Sequence, residues 1–128
     1  MKLVGLAVFA LLFVLVFYGF KVITMGSSDL PSIDVTTLAQ RLKSAMPPVL
    51  IDVRESYEFE AGHIDGAKLI PLGSLASHLA EVPRDKPVVL ICRSGNRSAH
   101  ATALLIQQGY TNVENITGGM NAWARSRG

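Results

Sequence analysis

The chain reads PVVLICRSGNRS from residue 87 to residue 98, and this stretch decides the fold. Residues 87–91 form a short, continuous apolar run, which is typical of a strand buried on both faces of a parallel sheet. The polar residues that follow lead into a helix predicted over residues 96–108, with Gly109 as its left-handed cap. The stretch therefore predicts a buried strand, a polar loop and a helix in direct succession.

The rest of the chain repeats this alternation. Further strands are predicted at residues 49–53, 67–70 and 113–116. Helices are predicted after Asp34 as an N-cap, around residues 55–60, over about residues 74–80, and from Met120 onward. The alternation predicts an α/β fold with a central, mostly parallel sheet flanked by helices on both faces. In such folds ligands bind beyond the carboxyl ends of the strands.

The distribution of charge argues against a nucleic-acid partner. The 128 residues include 12 Lys/Arg and 10 Asp/Glu, a formal net charge of +2. Lys2 and Lys21 flank an apolar start, so the remainder, residues 26–128, is formally neutral. It contains no basic run with interleaved aromatic residues, which is the usual footprint of nucleic-acid binding. We therefore expect no nucleic-acid partner.

The beginning of the chain predicts a membrane anchor. Residues 3–20 contain no charged side chain, and residues 22–25 extend the apolar segment past Lys21. At a rise of about 1.5 Å per residue, this segment is long enough to span a bilayer as a helix. Lys21 can extend its ammonium group to the headgroups. We therefore expect a single-pass membrane protein.

These observations divide the chain into three parts. We interpret residues 1–25 as one transmembrane helix, residues 26–31 as a linker and residues 32–128 as the folded domain. A cleaved signal peptide is the alternative for the first part, because residues 26–28 form a passable cleavage site, although such peptides have a shorter apolar region. Lysines flank the apolar segment on both sides, so the orientation of the anchor stays open.

Cys92 is the candidate nucleophile. It stands where free backbone N–H groups and the helix dipole converge, which makes its loop an anion-binding site. These groups, with Arg93 and Arg97, are expected to lower the pKa of the thiol below its usual value of about 8.5 and to favour the reactive thiolate. No other cysteine is present, and the histidines match no common metal-site spacing: His63, His78 and His100. We therefore expect neither a metal nor a cofactor.

Three separated motifs resemble the signatures of the rhodanese family and together cover nearly all of residues 32–126. The first is IDVRE at residues 51–55, followed by EF at 58–59, GHI at 62–64, GA at 66–67 and Pro71. The second is the loop at residues 92–98, and the third is TGGMNAW at residues 117–123. The resemblance implies a rhodanese-like α/β domain with about five strands in its sheet.

The resemblance also implies a sulfurtransferase of the thiosulfate sulfurtransferase type, in which Cys92 carries a sulfur atom as a persulfide. The implied donor is thiosulfate or a persulfide, the implied acceptor is cyanide or a thiol, and a protein is a further candidate for either role. The implied substrate-binding residues follow the cysteine: Arg93, Ser94, Gly95, Asn96, Arg97 and Ser98. The implied structural support comes from Asp52, Arg54, His63, Gly118, Gly119 and Trp123.

Particular roles follow from the same resemblance. Arg93 is expected to hold the donor's sulfonate oxygens, and Arg97 is expected to brace the loop and to be tied by hydrogen bonds to Asp52. The glycine pair at residues 118–119 is expected to permit a close approach of two backbone segments. Cys92 itself is expected in an exposed loop.

Three other functions are weighed against the enzyme. A phosphatase loop has the spacing Cys-x5-Arg, whereas this chain has Cys-x4-Arg, a narrower cradle that suits one sulfur atom better than a phosphate. A persulfide carrier or membrane-tethered module, loaded by a partner protein without turnover, would use the same loop. An interaction domain with an idle Cys92 is the third alternative.

Overall fold

The computed structural model describes residues 29–128, which contain five strands and four α-helices. The strands are β1 (Ser32–Ile33), β2 (Val49–Asp52), β3 (Lys68–Leu69), β4 (Val88–Ile91) and β5 (Val113–Ile116). The α-helices are α1 (Val35–Leu42), α2 (Ser56–Ala61), α3 (Asn96–Gln107) and α4 (Gly119–Arg127). Two 3-10 helices, Leu72–Ser77 and Leu79–Glu81, lie between β3 and β4.

The strands form one sheet in the order β1-β5-β4-β2-β3, and every pairing in it is parallel. β4 lies at the centre, in register with β2 from Val49↔Val88 to Asp52↔Ile91. All four residues of β4 are buried. The prediction of an α/β fold with a parallel sheet of about five strands is therefore confirmed.

The continuous apolar run of β4 is explained by a core on each face of the sheet. Successive strand side chains point to opposite faces, so Val88 and Leu90 join one buried cluster while Val89 and Ile91 join the other. Leu105 of α3 packs in the first cluster, and Leu38 of α1 packs in the second. Helices on both faces thus bury the central strand completely.

The helix ends follow the chemistry of the sequence. The Asp34 carboxylate accepts a hydrogen bond of 2.8 Å from the N–H of Thr37, as an N-cap does, and this bond lowers the pKa of Asp34. At the end of α3, Gly109 has φ of 91°, the left-handed conformation predicted for it. Both boundaries agree with the predictions.

Three elements differ from the predictions. Residues 74–80 were predicted as one helix, but Leu72–Ser77 and Leu79–Glu81 form two 3-10 helices, in which Leu75 is buried and Leu72 and Leu79 pack partly buried against the same core cluster. Strand β1 has only two residues, too few to give a period, and it exists because it pairs with β5. α4 begins at Gly119, one residue before the predicted start.

Within residues 29–128, no helix is long and apolar enough to cross a membrane. The predicted anchor at residues 1–25 and the first residues of the predicted linker lie outside the described residues.

Candidate active site

The loop at residues 92–98 leaves the carboxyl end of β4 and enters α3. Cys92 is only 1% exposed, so the expectation that it stands in an exposed loop was wrong. The start of α4 covers it: the N–H of Met120 donates to the Cys92 carbonyl at 2.8 Å, and the N–H of Asn121 donates to the Arg93 carbonyl at 3.0 Å. A second backbone segment therefore encloses the base of the loop.

Two hydrogen bonds hold the thiol. The backbone N–H of Gly95 lies 3.1 Å from the Cys92 sulfur, and the Ser98 hydroxyl lies 3.3 Å from it. Gly95 has φ of 104°, a left-handed conformation that turns the loop so that its N–H faces the sulfur. Ser98, buried on the first turn of α3, donates from its side chain. The loop thus converges on one sulfur atom.

This environment makes the thiol more acidic than a free cysteine. Burial raises the pKa of Cys92, but the Ser98 hydroxyl and the N–H groups of Ser98, Gly95 and Ser94 stabilise the thiolate more strongly. The net effect is a lowered pKa. Hydrogen bonds therefore produce the nucleophilic form at lower pH than burial alone would allow.

Ser98→Ala is expected to raise the pKa of Cys92, because it removes the hydroxyl that stabilises the thiolate. The pH profile of the alkylation rate of fragment 26–128 measures this pKa, and its midpoint should move upward. Ser94→Ala is the matched control, because Ser94 contributes its backbone N–H and that group survives the substitution. An equal shift in both variants would contradict the role of the Ser98 hydroxyl.

The glycine pair explains how α4 comes so close to the loop. Gly118 and Gly119 have φ of 75° and 53°. A Cβ at position 119 would clash with the Cys92 carbonyl oxygen and would lie 2.7 Å from the carbonyl carbon of Arg93. Only glycine fits there without displacing the loop.

The hydrogen-bond partner of Arg97 is not Asp52, which was the expected one. The Arg97 guanidinium donates two hydrogen bonds to Glu58 of α2, at 2.7 and 2.9 Å, and makes none to Asp52. Arg97 lowers the pKa of Glu58 to about 2, against the opposing effect of burial. The stabilising contribution of Glu58 is therefore full above pH 4.5, declines as the pH falls below that value and is lost as the pH falls through the lowered pKa of about 2. Arg97 thus joins the loop to α2 and not to Asp52.

Asp52 pairs instead with Arg54. Arg54 Nη2 lies 2.7 Å from Asp52 Oδ2, and both Asp52 oxygens also accept from Arg54 Nε at 3.0 and 3.1 Å. Arg54 donates a further hydrogen bond of 2.8 Å to the Gly62 carbonyl. Both charged side chains are buried. The pair therefore fastens the end of β2 to the segment after α2.

Sequence reasoning overlooked two residues of this region. Glu58 was quoted within the first motif, but its place opposite Arg97 is visible only in the fold. Asn115 of β5 is buried, and its amide nitrogen donates a hydrogen bond of 3.4 Å to the Gly95 carbonyl. This bond links the cysteine loop to the neighbouring strand. Asn115 stands between Glu114 and Ile116, and no signal in the sequence singled it out.

The remaining predicted residues lie around this centre. His63 is exposed, stacks on Phe59 with ring centroids 3.7 Å apart, and has Nδ1 2.8 Å from the Phe59 carbonyl, which is a structural arrangement. Trp123 is partly buried against the second core cluster. Ser94 and Asn96 are exposed in the loop and at the start of α3. Among the residues that the structure describes, no three or more His, Cys, Asp or Glu side chains are grouped so that they could hold a metal ion.

A cavity of about 610 Å³ adjoins the loop between α2 and α4. Arg93 and Arg97 line it from the loop, Tyr57 lines it from α2, and Asn121 lines it from α4. Arg93 is exposed, and in the described part of the chain no acidic side chain forms a salt bridge with it. The cavity therefore presents a free positive charge beside the cysteine loop.

The domain has a parallel α/β sheet, and its central strand ends in a Cys-x4-Arg loop that stabilises a thiolate. These two features define a class of domains that carry a reactive cysteine at the end of the central strand. The model of the Rhodanese-like domain matches residues 34–126, and the chain belongs to this family. A sulfurtransferase of Allochromatium vinosum is 43% identical over 93 residues, which cover 73% of this chain and 87% of that protein.

Solved structures agree with this assignment. A rhodanese-like domain protein of Staphylococcus aureus has a TM-score of 0.70 and 32% identity, with 73% of this chain and 91% of that chain covered. The human single-domain sulfurtransferase TSTD1 has a TM-score of 0.66 and 29% identity, with 74% and 96% covered. In both cases the similarity covers more than nine-tenths of the solved chain.

Proposed function

We propose that this protein is a sulfurtransferase that moves a sulfane sulfur from thiosulfate or a persulfide to a thiophilic acceptor. The Cys92 thiolate attacks the outer sulfur of thiosulfate, the S–S bond of the donor breaks, and sulfite leaves with the electron pair. Cyanide or a thiolate then attacks the terminal sulfur of the persulfide, the bond between the two sulfurs breaks, and the Cys92 thiolate is restored. No external oxidant or reductant is needed.

The observation that carries the proposal is the convergence of Gly95 N–H and the Ser98 hydroxyl on the Cys92 sulfur. Donors that stabilise a thiolate are also suited to the negative terminal sulfur of a persulfide, and they require no reorganisation during the reaction. The family membership and the relatives named as sulfurtransferases support the same chemistry.

The geometry favours sulfur over phosphate chemistry. In a phosphatase loop the closing arginine must hold the oxygens of the phosphate. Here Arg97 is engaged by both oxygens of Glu58, so its guanidinium is committed to bracing the loop. Arg93, exposed at the adjoining cavity, makes no salt bridge with the described residues and is available for a donor's sulfonate.

The first test is intact-mass spectrometry of fragment 26–128 after thiosulfate, with and without subsequent cyanide. A gain of one sulfur atom that cyanide removes supports the persulfide. Many turnovers with thiosulfate and cyanide would establish an enzyme, whereas loading only by a partner protein would favour the carrier. If no donor produced a persulfide, the result would contradict both the enzyme and the carrier. The interaction domain with an idle Cys92 would then be the remaining hypothesis.

Arg93→Ala is expected to raise the KM for thiosulfate about tenfold or more, because it removes a hydrogen bond between charged groups, while stability changes little at this exposed site. Arg97→Ala is expected to lower both stability and kcat, because it frees the loop from Glu58. Steady-state kinetics and urea denaturation of both variants separate these effects. Equal kinetic losses with unchanged stability in both would contradict the two roles.

We also propose that residues 1–25 anchor the domain to a membrane as a single pass, with residues 26–31 as the linker. The uncharged segment at residues 3–20 supports this. We expect detergent to extract the full chain from membranes and carbonate at high pH to leave it in the membrane fraction. Release by carbonate would contradict the anchor.

A further inference from the structure

The edge of the sheet opposite Cys92 is formed where the strands begin. Three backbone hydrogen bonds link the strand entrances, each from an N–H group to a carbonyl. They are Val49 to Pro87 at 2.9 Å, Val88 to Asn112 at 2.9 Å, and Asn115 to Pro31 at 2.8 Å. The segments that lead into the strands therefore lie side by side. We call this surface the entry edge and define it as residues 29–31, 43–48, 84–87 and 111–112.

The entry edge combines an exposed apolar side chain with basic ones. Met46 is 87% exposed, the most exposed large hydrophobic residue in the described chain, and it is followed by prolines. Three basic side chains are exposed on this edge, Lys43, Arg84 and Lys86, against two acidic ones, Asp29 and Asp85. The nearby Glu114 is neutralised by Arg41 at 2.7 Å. The edge therefore has an excess of positive charge.

The basic side chains lie close to the point where the chain enters the domain. A cavity of about 530 Å³ is lined by Pro31 together with Arg84 and Lys86, and Asp85 and the ion-paired Glu114 also line it. The Arg84 guanidinium is held over the Tyr110 ring, 3.9 Å from its centroid. Positive charge is thus fixed beside the first described residues.

The sequence that precedes the described residues indicates which surface lies near the entry edge. The uncharged segment at residues 3–20 lies before residues 26–28, the part of the linker that precedes the entry edge, and these three residues at about 3.5 Å each span roughly 10 Å when fully extended. A bilayer that holds the proposed anchor is therefore within reach of the entry edge. Exposed Met beside Lys and Arg is a combination suited to a headgroup region.

We propose that the entry edge docks on the surface of an anionic phospholipid bilayer. Met46 inserts among the headgroups, and Lys43, Arg84 and Lys86 contact their phosphates. Cys92 then lies at the far end of β4, about 13 Å beyond Val88 at roughly 3.3 Å per strand residue, and faces the water. The site is thereby directed to sulfur donors and acceptors in the aqueous phase.

This inference rests on the proposed anchor but goes beyond sulfur transfer, and the native single cysteine permits a direct test. The full chain carrying Cys92→Ser and Met46→Cys is labelled with a fluorophore and reconstituted into phosphatidylcholine vesicles, with or without phosphatidylglycerol. Lipids with spin-labelled headgroups quench a label that lies among them. The matched control is Tyr57→Cys in the same background, because Tyr57 is 71% exposed and lines the cavity beside the cysteine loop.

Several-fold stronger quenching is expected at position 46 than at position 57, and it should increase with phosphatidylglycerol. Lys43→Gln and Lys86→Gln are each expected to weaken docking about fivefold, the effect of roughly one basic residue near an anionic surface. Equal quenching at both positions, stronger quenching at position 57, or no dependence on phosphatidylglycerol would overturn the docking. Energy transfer between labelled copies without lipid quenching would overturn it in favour of a second copy of the chain.

Flotation of the same vesicles separates this inference from the proposals on which it rests. Failure of the full chain to float with neutral vesicles would overturn the anchor and, with it, the docked orientation. Flotation without preferential quenching at position 46 would overturn the docking alone. Persulfide formation by the unlabelled full chain in these vesicles tests sulfur transfer independently of both.

Discussion

Cys92→Ser is expected to abolish sulfur transfer, with a loss of at least about 1,000-fold in kcat/KM for thiosulfate. A serine hydroxyl is not ionised at neutral pH and forms no persulfide. No other cysteine exists in the chain, so no second thiol can take over the reaction. The thiosulfate-to-cyanide assay measures the loss, and intact-mass spectrometry should show no gain of sulfur.

The fold should survive this substitution. Although Cys92 is buried, serine is slightly smaller than cysteine and can accept the same hydrogen bonds from Gly95 and Ser98. Urea denaturation is expected to give a free energy of unfolding within about 1 kcal/mol of the unaltered chain. Sulfur transfer retained by the folded variant would remove the persulfide mechanism, whereas a variant that fails to fold would show that the thiol is also a structural element of the core.

Arg54→Met is expected to lower the free energy of unfolding by about 3–5 kcal/mol, because it leaves the buried Asp52 carboxylate without its partner. The substitution keeps a long apolar stem, so lost packing contributes little. Denaturation by urea near neutral pH measures the effect. The double variant Asp52→Asn with Arg54→Met should recover part of the loss, because it leaves no buried charge unpaired.

Arg41→Met provides a matched control for this prediction. Arg41 and Glu114 are also 2.7 Å apart, but their side chains are 40% and 29% exposed, whereas Asp52 and Arg54 are buried. Because solvent screens an exposed pair, its loss is expected to cost less than about 1 kcal/mol. Similar losses in the two variants would contradict the importance of burial at Asp52.

The predicted elements were those with a strong local signal. β4 was recognised because a strand buried on both faces must be apolar at every position, and α1 because Asp34 caps it. β1 carried no such signal, because a two-residue strand has no period. A helix was predicted between β3 and β4, but Leu72, Leu75 and Leu79 hold that segment against the core as two 3-10 helices. These elements are stabilised by tertiary contacts with other parts of the domain.

In the candidate site, too, local features could be predicted from the sequence and contacts between distant segments could not. The loop that surrounds the Cys92 sulfur is one continuous segment, so its residues and the acidity of the thiol could be predicted from their order. The ion pairs could not be predicted correctly. Arg97 and Glu58 are 39 positions apart, and sequence order does not show that α2 places Glu58, and not Asp52, opposite the loop.

The sequence by itself determined a parallel α/β domain with one thiol in an anion-binding loop, because strand periodicity, helix caps and a strand–loop–helix junction are properties of neighbouring residues. Only the tertiary structure decided the burial of Cys92 beneath the start of α4, the pairing of Arg54 with Asp52 and of Arg97 with Glu58, and the entry of the chain at the edge opposite the thiol. The reason is physical: burial and ion pairing depend on distances between segments remote in the chain, and packing of the whole sheet sets those distances.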